Sequence, residues 1–224
     1  MSIIHRMQQG SPEWYQVRLG IPTASEFHRI LTPGGQPSKQ ARPYMYRLIA
    51  ERVLGESMDD RFTGTEWMHR GKREEPNAAA QFAFTNDMVL EEVGFVTTND
   101  GRMGCSPDRL ISGRNEIVEV KAPAPWTQVG YLLDGPGDQY KAQVQGQLLI
   151  GEYECVHFYA WHPRMPPVHI VTLRDEPYLK LLDRHLQEFV DQLDEEEERC
   201  RKLGPFAMAN IASQAAAEEV WGND

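Results

Sequence analysis

The sequence predicts an α/β protein with a central mixed sheet flanked by helices, and two observations carry that expectation. Segments with helical spacing alternate with short apolar or β-branched runs in the order helix, three strands, helix, strand, strand, helix. From Gly104 to Ala122 the chain reads GCSPDRLISGRNEIVEVKA, in which Leu110–Ile111 and Ile117–Val118 flank Ser112-Gly113-Arg114-Asn115. Apolar runs separated by Gly and Asn read as strand, turn, strand.

Taken in order, Ser11-Pro12-Glu13 opens a short helix, Ser as cap and Pro in the first turn, that carries Trp14, Val17 and Leu19 to Gly20. Thr23 or Ser25 caps a second, with Phe27, Ile30 and Leu31, which Pro33-Gly34-Gly35 ends. Tyr44, Leu48, Ile49 and Val53 are spaced as a buried helix face over 43–54, and a long helix follows from Thr65 to Thr85. One strand is expected at about 88–97, a turn at Asn99-Asp100-Gly101, a short strand into Cys105, and then the hairpin. Asp138 to Ile150 reads as a helix, 154–161 and 168–173 as strands, and Glu176 to Arg201 as a final helix. Residues 1–204 are expected to form a single domain, and 205–224 an Ala-rich, flexible tail.

Composition narrows the function classes. Three cysteines with no metal-like spacing exclude a four-Cys cluster and suggest reduced thiols in a cytoplasmic compartment. Met1 to Gly10 lacks the apolar core of a signal peptide, and no window approaches a membrane span. The net charge is −10, but residues 176–224 alone carry −7, much of it in Asp194 to Glu198, which reads as a solvated helix face. The remaining body is nearly neutral, so Arg and Lys can still gather at a phosphate-binding cleft.

Strand alternation puts Ile117, Glu119 and Lys121 on one face, with Val118 and Val120 on the other. Asp108 begins the partner strand, so hairpin pairing brings it near Glu119 although ten residues separate them. Two carboxylates beside one ammonium suit a hard divalent cation and a nucleophilic water; oxygen ligands of this kind hold Mg²⁺. Gln143 and Tyr140 lie one turn apart on the next helix, where Gln can hold a phosphate oxygen or a water. In the stretch from Arg18 to Glu26 an Arg precedes a tight turn and the hydroxyls of Thr23 and Ser25 begin a helix. A helix N-terminus together with a guanidinium fork suits a phosphate.

Ser106-Pro107-Asp108, ten residues, then Glu119-Val120-Lys121 resembles the PD-(D/E)xK nuclease signature. The ordered set WYQVRLGIPTASEF, RGKREEPNAAAQF, CSPD, EVK, YKAQVQGQL and WHPRM is similar to one family within that superfamily, the phage lambda exonuclease or viral-type alkaline exonuclease (YqaJ-like) group. The resemblance implies the αβββαβ core of the restriction-endonuclease-like fold. It implies metal ligation by Asp108, Glu119 and the Val120 carbonyl, with Glu75 and Gln143 completing the site and Lys121 as catalytic lysine. The chain departs from the family in carrying a Glu74-Glu75 pair where a single acid is more usual, so Glu74 competes with Glu75 for that role; the alternative is that both pair with Arg70 or Lys72 at helical spacing. Arg18 and Ser25 would hold a terminal 5′-phosphate, with Tyr140 also on the DNA side. The implied activity is 5′→3′ digestion of one strand of duplex DNA from its end, with two Mg²⁺ per site and Mn²⁺ as a substitute. Implied partners are a homotrimeric ring and a single-strand annealing protein, in the cytoplasm of a bacterial host. A restriction-like endonuclease, a helicase-associated nuclease and a non-catalytic DNA-end-binding module are the alternatives.

Overall fold

The computed structural model describes residues 2–58 and 66–203. The tail expected at 205–224, the helix start expected at Thr65 and the side chains of Trp67 and Met68 lie outside the described residues.

The predicted order of elements holds, with additions. Strand β1 (Ser2–His5) is followed by α1 (Pro12–Arg18), a 3-10 turn (Ala24–Arg29), α2 (Ala41–Leu54) and α3 (Glu66–Asn86). Then come β2 (Leu90–Glu91), β3 (Phe95–Thr98), β4 (Gly104–Cys105), β5 (Arg109–Ile111) and β6 (Glu116–Lys121). The chain continues through α4 (Pro125–Asp134), a 3-10 turn (Gly137–Tyr140), α5 (Lys141–Gly151), β7 (Cys155–His162), β8 (Met165–Leu173) and α6 (Glu176–Lys202).

The main sheet runs β2-β5-β6-β7-β8. Only β6 and β7 are parallel, which makes the sheet mixed, as expected. The α4–α5 segment supplies the long crossover that a parallel pair requires. Alternation along β6 sorts the layers: Ile117 packs with Val144 and Leu148 of α5, while Val118 and Val120 pack with Ala78, Ala79 and Phe82 of α3. Helix α6 covers the α5 side through Tyr178, Leu182, Leu186, Phe189 and Leu193.

Four expectations need correction. The single strand at 88–97 is two strands in different sheets: β2 joins β5, whereas β3 pairs with β1 and β4 in a small second sheet. The helix expected after Thr23 is a six-residue 3-10 turn whose cap makes no side-chain hydrogen bond. The helix expected from Asp138 begins as a 3-10 turn and becomes α-helical only at Lys141. The acidic face of α6 is partly an ion-pair network rather than simply solvated. Arg52 bonds Asp194 and Glu197 at 2.7 and 2.8 Å, and Arg102 bonds Asp191 and Asp194 at 2.7 and 2.8 Å.

Close packing of α5 on the 3-10 turn at Ala24–Arg29 depends on Gly146. A Cβ there would lie 2.4 Å from Phe27 Cδ2 and 3.3 Å from the Ala24 Cβ. Helix propensity favours Ala over Gly by about 0.8–1 kcal/mol, but overpacking a filled core costs about 1–3 kcal/mol, and Phe27 is fully buried. Gly146→Ala is therefore expected to destabilise the fold, read as a lower denaturant midpoint with an unchanged slope; a rise in the midpoint would show that Phe27 repacks freely.

Candidate active site

Asp108 lies immediately before β5, and the register (Arg109 opposite Val118, Leu110 opposite Ile117) sets it beside the end of β6. Its Oδ2 accepts the Val120 N–H at 2.6 Å. Glu119 is 2% exposed and has both carboxylate oxygens engaged. Oε1 accepts from the Lys121 ammonium and from Gln143 Nε2 at 2.5 Å, and Oε2 accepts from Gln147 Nε2 at 2.6 Å. The hairpin and α5 thus bring together the predicted Asp108, Glu119, Lys121 and Gln143.

The charges of this cluster act most strongly on Asp108. Burial, reinforced by repulsion from Glu119 and then Glu75, holds the Asp108 carboxyl well above the usual carboxylate range, against the pull of Lys121 and the Val120 N–H. Burial would lower the Lys121 pKa, but the Glu119 and Asp108 carboxylates outweigh it and the net shift is upward. Lys121 therefore stands as an ammonium.

Glu75, not Glu74, faces the cluster. Glu75 Oε1 lies 3.3 Å from Arg109 Nη1, whereas Glu74 accepts from Asn77 at 3.2 Å within its own helix. Gly71 lets α3 approach the end of β6, since a Cβ there would sit 3.3 Å from the Ala122 carbonyl. Above the cluster opens a cleft of about 650 Å³, lined by Lys72, Glu75, Val120, Lys121, Trp126 and Tyr140. Tyr140 ends the second 3-10 turn rather than sharing a helical face with Gln143; its ring lies 5.1 Å from Lys121 Nζ, and its hydroxyl bonds that of Tyr131 at 2.8 Å.

Arg18 lines a separate, smaller recess, and Ser25 lies outside its lining, joined to it through Thr23. The Arg18 guanidinium stacks on Trp14 at 3.8 Å and lines a cavity of about 30 Å³ with Thr23, Glu26, Arg47 and Ser57. Ser25 is exposed and bonds the Thr23 hydroxyl at 3.2 Å. Because the turn at Ala24–Arg29 is a short 3-10 helix, little dipole supports an anion there; the recess sets Arg18 and Arg47 against Glu26 and Glu51, with Arg47 paired to Glu51 at 3.3 Å. Trp14 links this recess to the cluster, since its Nε1 donates to Ser106 Oγ at 3.1 Å, two residues before Asp108.

Sequence reasoning missed three site residues. Gln147 lies one turn beyond Gln143, a spacing that could have flagged it. Arg109 follows Asp108 directly, and Lys72 opens the cleft from α3.

The sequence profile of the YqaJ-like viral recombinase domain matches residues 13–154, which hold every element of this cluster. The chain belongs to that family. Among solved structures, the alkaline exonuclease LHK-Exo of Laribacter hongkongensis superposes with a TM-score of 0.77 at 25% identity, covering 86% of this chain and 97% of that one. The same enzyme in complex with dAMP gives a TM-score of 0.76 at 25% identity over 87% of this chain and 100% of that one. A phage-related exonuclease from Haemophilus somnus 129PT shares the fold, with a TM-score of 0.57 at 14% identity over 79% of this chain and 96% of that one. None of the curated proteins matches the sequence.

The repulsion at the cluster yields a prediction. Asp108→Asn keeps an acceptor for the Val120 N–H and removes the repulsion between Asp108 and Glu119. In chelator the variant is expected to melt above wild type, by about 2–4 °C for each 1 kcal/mol gained in a chain of this size. Added Mg²⁺ should then raise the melting temperature of wild type but not of the variant. Calorimetry with EDTA and with Mg²⁺ checks both; a variant less stable than wild type in EDTA would mean that the two carboxylates do not oppose each other.

Proposed function

We propose that this chain is a divalent-metal-dependent exonuclease that digests the 5′-ended strand of duplex DNA from its end. It would release 5′-mononucleotides and leave a 3′ overhang for recombination by strand annealing. The observation that carries this reading is the meeting of Asp108, Glu119 and Lys121 under an open cleft. Membership in a viral recombinase family, whose LHK-Exo neighbour is an alkaline exonuclease, supports it.

The residues fit a hard cation. Asp108, Glu119, Glu75 and the Val120 carbonyl offer only oxygen, and the Asp108 and Glu119 carboxylates repel each other, a repulsion that Lys121 offsets only in part. These groups would hold two Mg²⁺, with Mn²⁺ able to replace them. Bound Mg²⁺ would supply Lewis acidity toward the phosphate and acidify a water. The chain's own groups do the rest. Gln143 and Gln147 fix the orientation of Glu119, and Lys121 donates to the attacking water or to the developing charge on phosphorus. Tyr140 and Lys72 border the path of the strand. Arg18, with the Thr23–Ser25 hydroxyl pair, would hold the terminal 5′-phosphate through a bidentate fork. A homotrimeric ring and a single-strand annealing partner complete the proposal, in the cytoplasm of a bacterial host. Among the described residues no helix is long and apolar enough to cross a membrane.

Timed digestion of linear duplex labelled at either end tests the reading. The 5′ label should appear first, as a mononucleotide, with Mg²⁺ and not with EDTA, and closed circular duplex should survive. Cleavage of the closed circle would establish an endonuclease instead.

Two variants probe the roles. Lys121→Ala is expected to lose on the order of 10²–10³ in turnover, and Lys121→Arg should not restore it, because a planar fork cannot replace a compact ammonium. Turnover within tenfold of wild type would remove Lys121 from the chemistry. Wild type should prefer 5′-phosphorylated over 5′-hydroxyl ends, and Arg18→Ala should erase most of that preference, a loss of about 1.5–3 kcal/mol for a hydrogen bond to a charged group. A folded Arg18→Ala protein with the preference intact would place the phosphate elsewhere.

A further inference from the structure

At the opposite end of β6 from the nuclease cluster, on the α3 face of the sheet, a second set of ligand-type side chains converges. Glu116 is the first residue of β6, Cys155 is its direct partner on β7, and His157 follows two residues on. One ligand atom from each lies within 4.8 Å of the others. His157 Nε2 is 2.8 Å from Glu116 Oε2. His157 and Cys155 are buried, while Glu116 keeps partial access to solvent. The other ring nitrogen of His157, Nδ1, lies 3.0 Å from His169 Nε2 on β8, and the two imidazoles stack at 5.2 Å. None of these four residues enters the chemistry proposed above.

We propose that Glu116, Cys155 and His157 form a zinc site, with His169 holding the far nitrogen of His157. The donor set decides the metal. Thiolate and imidazole select zinc over magnesium, which takes oxygen. A carboxylate and a thiolate supply two negative charges against Zn²⁺, and metal-bound imidazoles commonly have their second nitrogen fixed by a hydrogen bond. Zinc bonds of about 2.0–2.3 Å place the ligands of a tetrahedral site roughly 3.3–3.8 Å apart, so the His157–Glu116 pair, at 2.8 Å, has to open by about 0.5 Å and the longest separation, no more than 4.8 Å, has to close by about 1–1.5 Å. Water takes the fourth position on the open side of Glu116. The metal would pin β6 to β7 at the end of the sheet remote from the cleft, bracing the strand that carries Glu119 and Lys121.

The test uses the full-length protein stripped with chelator and titrated with Co²⁺, then with Zn²⁺. The readout is the thiolate-to-metal charge-transfer absorption of the cobalt form, which an all-oxygen nuclease site cannot produce. Wild type should reach saturation at one thiolate-bound cobalt per chain, and zinc should displace it. The band should persist in Asp108→Ala and vanish in Cys155→Ser. His169→Ala should keep the band but bind zinc about 10–100-fold more weakly. X-ray absorption of the zinc form of wild type, which needs no variant to fold, should show one sulfur scatterer at about 2.3 Å. Absence of the thiolate band in wild type, its survival in folded Cys155→Ser, or a zinc shell without sulfur would each overturn the proposal.

Discussion

Everything at the cleft depends on keeping the Glu119 carboxylate charged inside the protein. A lone buried carboxylate is costly to desolvate, and it persists only where hydrogen bonds and opposite charge replace water. Here three donors do so: Lys121 from the same strand face, and Gln143 and Gln147 from α5. That requirement sets the geometry around it. Helix α5 must lie flush on β6, so Gly146 has to approach Phe27 closely. The crossover from β6 to β7 must likewise deliver α5 to one particular face. Asp108 is drawn into the same dry environment by the Val120 N–H, so two carboxylates share a space with one ammonium.

Much of this was legible in the sequence, and for identifiable reasons. The hairpin was readable because Gly113 and Asn115 interrupt two apolar runs, Leu110–Ile111 and Ile117–Val118. Hairpin register set Asp108 near Glu119 and Lys121, and the resemblance to the exonuclease family gave them their expected roles. Elements stabilised mainly by distant partners were not readable. Ser2–His5 is only four residues long and becomes a strand through pairing with Phe95–Thr98. The run at 88–97 splits because Gly94 must pass close to Met7, where a Cβ would meet the Met7 carbonyl at 2.5 Å. Helix α4 is absent from the sequence expectation, although Pro125 at its first position and Gly135 after its last are the signals available for it. Gln147 escaped because its role is defined by a strand 28 residues away.

Charge is distributed so that acid and substrate-facing groups occupy different parts of the molecule. The acidic end of α6 is tied to α2 through Arg52, whose Nε also caps the Gly20 carbonyl at 2.6 Å. The cations nearest the cleft come instead from α3, β5 and β6, namely Lys72, Arg109 and Lys121. A net charge of −10 is therefore compatible with a locally basic mouth to the cleft.

The parallel pairing of β6 and β7 also bears on how the molecule is born. Synthesis completes Asp108, Glu119 and Lys121 well before α5, and until α5 docks Glu119 stays hydrated and unaligned. Contacts of long sequence separation form late because loop closure must precede their reward. The carboxylate cluster is thus aligned only once α5 has docked. A nascent or partly unfolded chain carries the full motif but not the aligned constellation, so the activity proposed here would switch on with docking of the crossover helix rather than with appearance of the residues themselves.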